Sequence, residues 1–315
     1  MSPLILDEAT VRSLITRTDA LAAVRRALTA LAHEQVVMPD ELALALDTGE
    51  VHVKGGHLLG SPYVSFKVAT GFPGNDVLGM QINDGFSIVL DACTGAHVAS
   101  LHDHGWLTEL RTGAAGAVAA DLLARPDATR VAILGAGSQA RFQLAGLLDV
   151  RDIRSVHVWN RSQDRARGFA EAVHAELGLS VTVAPTVRDA VEFADIVITT
   201  TASREPLVHA EWLQPGAHVT AMGSDFPYKR ELAADVMARA DVVAADRVEV
   251  CSRVGELHHA LADGALERSK VIELADLVAG RAVGRTDPAQ ITVVDQCGLG
   301  AYDAAMAELV LERAR

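Results

Sequence analysis

Two domains of mixed α/β structure are what this sequence of 315 residues predicts, on three observations. Between Glu41 and Asp103, apolar and polar residues alternate in five short stretches separated by Gly, Pro, Asn and Asp, with no helical period between them, the pattern of an antiparallel sheet. From Thr129 onward, short apolar runs alternate with helical patterns, which gives a parallel sheet covered on both faces. At the head of that second region, an apolar run stops at a glycine turn and a helical pattern follows at once.

In chain order, Thr18 is the expected cap of a first helix carrying Leu21, Val24, Leu28 and Leu31 on one face. The five strands are ELALALD, EVHVKGGHL, YVSFKVATGF, FSIVLDA and HVASLHD, with turns at Asp47-Thr48-Gly49 and Pro73-Gly74-Asn75. Leu107 to Leu123 turns helical with Thr108 as the expected cap. Its run Gly113-Ala114-Ala115-Gly116-Ala117 is small enough for another backbone or a flat ligand to come close. Arg125-Pro126-Asp127 then breaks the helix, so the expected domains are 1–126 with 293–315, and 127–292. A final strand and a glycine-rich turn lead to a closing helix, which is expected to return to the first domain.

The second domain opens with Val131-Ala132-Ile133-Leu134, then Gly135-Ala136-Gly137-Ser138-Gln139-Ala140, then a helix through Phe142, Leu144, Leu147 and Leu148. This is G-x-G-x-x-A in a strand–turn–helix context. The first glycine permits the turn, the second lets a pyrophosphate reach the backbone, and the small Ala140 lets helix and strand pack closely. Phosphates then meet the N–H groups of the helix start at Ser138 and Gln139. The fold expected is therefore Rossmann-like, binding a nicotinamide dinucleotide. At the end of the second strand, where an NAD site carries an acid for the ribose 2′-OH, the chain has Asn160-Arg161-Ser162. Two hydrogen-bond donors and a cation select NADP(H), with NAD(H) the alternative if Arg161 is only a solvated charge. The loops holding Thr201 and Met222 also follow parallel strands and face the same crevice.

Composition excludes several classes. A net charge of −13 argues against a nucleic-acid or anionic-membrane surface. No apolar run approaches the roughly 18 residues of a membrane helix. Cys93, Cys251 and Cys297 are odd in number and scattered, which fits a reducing cytoplasm and not a disulfide framework. The N-terminus lacks a signal-peptide pattern.

Four side chains are candidates for chemistry. Lys67 lies inside an apolar strand, where it either emerges on a wet face or meets an anion such as a substrate carboxylate. Lys54 in VHVKGG poses the same question. Arg111, beside Thr112, falls in the expected first turn of its helix, where a cation opposes the dipole unless an anion or Glu109 compensates. That anion would be a carboxylate or a cofactor phosphate. Asp225 follows AMGS at the end of a parallel strand, from which it could exchange a proton with a substrate nitrogen, or simply cap a turn. His258, His259 and Cys251 match no zinc spacing, so no metal is expected.

Together these residues resemble the ornithine cyclodeaminase and mu-crystallin family over nearly the whole chain. The matching pieces are Phe66-Lys67 with Gly71 and Asn75, LTELRTGAAGAVAA, GAGSQA, ADIVITTT, LQPGAHVTAMGSD with Lys229, Glu231 and Leu232, and Gly298 with Asp303. The resemblance implies a Rossmann-like domain inserted into an antiparallel α/β domain that binds substrate and builds a homodimer. It implies that Lys67 and Arg111 hold an α-carboxylate, that Arg111 and Thr112 adjoin the cofactor, and that Asp225 is the acid/base. Mu-crystallin-like members lack that aspartate. MPDELALAL offers Glu41 where members carry a carboxylate-binding Arg, so Lys54 is expected to substitute, and QCGLGAYD departs from the usual Ser or Thr before the glycine. The activity implied is reduction of a small imino acid of the Δ1-pyrroline-2-carboxylate or ketimine type. The alternatives are cyclodeamination of L-ornithine to proline and ammonia, and a non-catalytic NADPH-binding protein.

Overall fold

A computed structural model describes residues 2–315. The strands, in order, are β1 (Leu4–Asp7), β2 (Val36–Val37), β3 (Leu42–Leu46), β4 (Gly49–Leu58), β5 (Tyr63–Gly71), β6 (Asn83–Asp91), β7 (His97–His102), β8 (Arg130–Leu134), β9 (Ser155–Trp159), β10 (Val181–Val183), β11 (Ile196–Thr199), β12 (His218–Ala221), β13 (Val242–Ala245), β14 (Val271–Glu273) and β15 (Thr292–Asp295). The helices are α1 (Glu8–Leu14), α2 (Arg17–Ala32), α3 (Trp106–Leu123), α4 (Ser138–Leu148), α5 (Gln163–Leu177), α6 (Val187–Phe193), α7 (Ala234–Arg239), α8 (Val248–Val254), α9 (Glu256–Ala262), α10 (Leu274–Val278) and α11 (Gly300–Ala314). The chain forms two compact units, Met1–Arg111 with Leu299–Arg315, and Thr112–Gly298.

The first unit is built on a sheet in the order β1-β7-β6-β5-β4-β2, with β3 also paired to β4. All its pairs are antiparallel except β1 with β7. The five expected strands are β3 to β7; the four-residue β1 and two-residue β2 carry no alternation long enough to read. Helix α11 packs on β4, β5 and α2. That approach needs glycine on both sides: a Cβ at Gly300 would lie 2.0 Å from the Gly55 carbonyl oxygen, and one at Gly56 would lie 2.6 Å from that of Gly300. Arg26 of α2 fixes the same helix through Glu308 at 2.8 Å.

The sheet's two faces differ sharply. Lys54, Ser65, Lys67, Ser87 and Leu101 are buried on one. On the other, register aligns Val53 with Val68 and Phe86, Phe66 with Ile88, and Leu42 with Val53. Leu42, Leu44, Leu46, Phe66, Phe86 and Ile88 are all exposed there.

The second unit is an eight-stranded sheet, β10-β9-β8-β11-β12-β15-β13-β14, every pair of it parallel. The central strands are buried end to end, as a sheet covered on both faces requires. The small-residue run of α3 meets a backbone: a Cβ at Gly113 would lie 2.4 Å from the carbonyl oxygen of Phe142 in α4, and one at Gly146 would lie 2.7 Å from that of Gly113.

Two local expectations are corrected. Thr16, not Thr18, caps α2, in a capping box with Asp19 whose two reciprocal bonds satisfy donors at the helix start. Helix α3 starts one residue earlier than read, at Trp106, and Asp103 Oδ2 accepts from the Leu107 N–H at 2.7 Å, so Thr108 lies inside the first turn and does not cap it. Arg111 consequently sits in the second turn, and the dipole argument for an anion beside it lapses. The division between the two compact units falls within α3, after Arg111. The reason is packing: the first turns of α3 are tied to the antiparallel unit through Arg111 and Asp303, whereas the rest lies against α4.

Candidate active site

Lys54 and Lys67 are paired residues on adjacent strands β4 and β5, so their side chains rise on the same face. Both are buried, at 8% and 4% exposure, and Arg111 of α3 is buried at 4%. Three cations withdrawn from water demand anions. One is Asp303 of α11, whose Oδ1 accepts from Arg111 Nε at 2.9 Å and whose Oδ2 lies 3.6 Å from Lys67 Nζ. The other is Glu41, whose Oε2 lies 3.3 Å from Lys54 Nζ and whose Oε1 meets His52 Nδ1 at 2.5 Å.

The electrostatics follow from this crowding. Burial, opposed by Asp303 and reinforced by Arg111 and Lys54, brings the Lys67 ammonium down to about 8. Burial also raises Asp103, which accepts from the Leu107 N–H at the start of α3, to about 6. At Glu41 burial works upward, but the His52 hydrogen bond and the charge of Lys54 outweigh it and hold the carboxyl at about 2. Glu41 and Lys54 thus form a largely buried acid–lysine pair beside His52. Arg111 pairs with Asp303, and Glu109 accepts instead from Asn83 Nδ2 at 3.2 Å.

The dinucleotide fingerprint folds as the motif requires. Gly135 takes φ +115°, which only glycine adopts without strain, and a Cβ there would lie 2.6 Å from Thr200 Oγ1. Gly137 has open space where a Cβ would stand, and the first turn of α4, at Ser138 and Gln139, has no side-chain cap. Those are the conditions for a phosphate to reach backbone N–H groups. Ala140 is fully buried against the strand. Gln143, one turn on, donates to the Thr112 carbonyl at 2.9 Å.

At the end of β9, Asn160 Nδ2 donates to the Ser162 carbonyl at 3.1 Å, and Ser162 caps α5 by accepting from the Arg165 N–H. Arg161 stands exposed between them.

The carboxyl ends of β8, β11, β12 and β15 lie side by side in the sheet. A Cβ at Gly223 would lie 2.1 Å from the Thr201 carbonyl oxygen, and the Gln296 N–H donates to the Ala221 carbonyl at 3.1 Å, so the loops touch one another. Met222 and Thr201 belong to these loops, as does Asp225, partly exposed and accepting from Lys229 Nζ at 2.7 Å. The Gln296 side chain is 2% exposed with neither its Nε2 nor its Oε1 hydrogen-bonded among the described residues. A buried amide with both atoms unpaired is expensive unless a ligand or water completes it, and here it fits a dinucleotide on the strand ends.

The sequence reading missed Asp303, Glu41 and Lys229 as members of these clusters. Asp303 and Glu41 are charges next to apolar stretches, the signal that singles out Lys67, but their partners lie far away in sequence or on another strand, and Lys229 stands four residues from Asp225 in a stretch with no helical or strand period.

Comparison with known proteins agrees with this architecture. A protein of Rhizobium meliloti with a provisional dehydrogenase name is 41% identical over 314 residues, covering 98% of this chain and 95% of its own length. The structure of an archaeal alanine dehydrogenase dimer with bound NAD matches with TM-score 0.93 and 33% identity, covering 100% of this chain and 96% of the other. That of Thermococcus litoralis Δ1-pyrroline-2-carboxylate reductase with NADH and L-proline matches with TM-score 0.94 and 29% identity, covering 99% and 97%. The model of the ornithine cyclodeaminase/mu-crystallin family matches residues 1–315, and the chain belongs to that family.

Proposed function

We propose that the protein is an NAD(P)H-dependent reductase of small imino acids. The observation that supports this most directly is the shared carboxylate of Asp303, which holds two buried cations, Lys67 and Arg111, within one cluster. A substrate carboxylate entering there finds two cations for one existing anion. When bound, the reduced dinucleotide supplies hydride to the imine carbon. Lys67 and Arg111 orient the α-carboxylate, with Lys54 as a further cation, and most of the rate comes from that alignment. Asp225 passes to the imine nitrogen a proton drawn from the Lys229 ammonium hydrogen-bonded to it at 2.7 Å, and solvent restores the Lys229 proton.

Within this reading the cofactor is NADP(H), because the end of β9 offers Asn160, Arg161 and Ser162 and no acid. NAD(H) is the alternative, since the solved relatives carry NAD or NADH. Incubation with L-ornithine and catalytic NAD+ separates reductase from cyclodeaminase. The reductase forms no proline there but oxidises NADPH with Δ1-pyrroline-2-carboxylate. Stoichiometric proline and ammonia without net NADH would overturn the assignment.

The exposed apolar face of the first unit supports a homodimer, with a second copy laid on Leu42, Phe66, Phe86 and Ile88. Light scattering should give twice the chain mass, and Ile88→Lys should halve it. The cysteine usage supports a cytoplasmic location, and no described helix is long and apolar enough to cross a membrane.

A further inference from the structure

We propose that Glu231, which the mechanism above does not use, is a positioning residue that clamps the loops after β11 and β12 into one rigid edge and through them sets Asp225. The inference rests on the dinucleotide reading of those loops, but the geometry stands within the second unit alone.

Glu231 is 0% exposed, and four donors converge on its carboxylate. Oε1 accepts from the Thr201 N–H at 2.6 Å and from Thr201 Oγ1 at 2.7 Å. Oε2 accepts from Thr199 Oγ1 at 2.6 Å and from the Gly223 N–H at 2.9 Å. Thr199 ends β11, Thr201 lies two residues beyond it in the loop, and Gly223 follows β12, two residues before Asp225. One side chain thus bridges both crevice loops. Gly223 has to be glycine for the carboxylate to come so near, since a Cβ there would lie 2.6 Å from Glu231 Oε2.

The clamp is itself held. The Glu231 backbone carbonyl accepts from the N–H groups of Leu207 and Val208, and its own N–H donates to Glu256 Oε1 at 2.6 Å. Glu256, 2% exposed, also takes the Leu232 N–H at 3.0 Å, and Asp295 at the end of β15 takes the N–H of Leu257 in α9 at 2.8 Å. Three buried acids in sequence therefore connect the end of β15 to the ends of β11 and β12. Burial drives all three carboxyls upward, against the N–H and hydroxyl donors that surround them. Such groups are costly to keep, which is consistent with a task that only a four-fold acceptor performs: neutral packing cannot satisfy two backbone N–H groups and two hydroxyls at once.

The test uses Glu231→Gln, which keeps shape but turns one acceptor oxygen into a donor facing two donors, with Glu231→Asp, Thr199→Val and Asp225→Asn alongside. Turnover with a cyclic imino acid, NADPH dissociation constants and thermal melting of the full chain are measured for each. Glu231→Gln should lower kcat about ten-fold or more and weaken NADPH several-fold, with the KM for the imino acid nearly unchanged, as misplacement of a reacting group predicts. Glu231→Asp should recover part of kcat. Thr199→Val removes one donor without touching charge, so it should lower kcat in the same sense even if Glu231→Gln does not fold. Unchanged kcat in Glu231→Gln, or in a folded Thr199→Val when Glu231→Gln is unfolded, would overturn the role, as would kcat losses that only follow the loss of melting temperature. Full activity in Asp225→Asn would instead remove the acid/base reading and leave the clamp to stand on kcat and NADPH affinity.

Discussion

Arg111 donates from Nε to Asp303 Oδ1 at 2.9 Å, joining residues 192 positions apart in the chain. Both are buried, and the second oxygen of Asp303 faces Lys67. The closing helix therefore supplies the counter-ion for the cations that we assign to the substrate carboxylate, and its removal should be felt twice.

Asp303→Asn leaves two buried cations with no fixed anion between them. Breaking one partner of a buried pair costs about 3 kcal/mol or more, so the urea midpoint should fall clearly. Because Asp303 supports the charged form of Lys67, the alkaline limb of kcat/KM for the imino acid should also move to lower pH. A midpoint and pH profile identical to those of the unaltered protein would show that the pair carries neither effect.

Lys67 is brought down to about 8 by burial, and the sign is fixed by its role. The ammonium binds the carboxylate, so binding is complete below that value and is lost as pH rises through it. The kcat/KM for substrate, which reports the free enzyme, should fall above pH 8 or so. In Lys67→Arg, where the cation does not titrate in this range, that limb should disappear. Steady-state kinetics from pH 6 to 10 would check both.

Asp225→Asn should reduce kcat by a factor on the order of 10² to 10⁴, the usual contribution of a positioned acid or base. NADPH affinity, measured by fluorescence titration, should stay within about three-fold, since the assigned role concerns the proton and not the cofactor. Undiminished turnover would assign the proton to another group.

Arg161→Ala should raise the KM for NADPH by about ten-fold or more while changing that for NADH little, because only the 2′-phosphate would pair with the guanidinium. An equal effect on both cofactors would mean that Arg161 touches no phosphate.

The sequence by itself determined the two kinds of sheet, the glycine turn before α4 and the family membership. The sheets and the turn rest on local physics: side-chain period, turn chemistry and the φ that Gly135 must adopt; the family rests on motifs matched in combination. It also marked Lys67 and Asp225 individually, because a charge in an apolar strand or at a strand end stands out, and Arg111 through a helix-dipole argument that the observed helix start removes. Caps were less legible, since Thr16 and Thr18 are equally good acceptors and only the helix start chooses between them. What the tertiary structure alone decided is pairing. Asp303 meets Arg111, Glu41 meets Lys54, and Glu231 gathers Thr199, Thr201 and Gly223. Burial makes each partner obligatory, but which acid satisfies which cation or N–H depends on contacts closed by the fold across long stretches of chain.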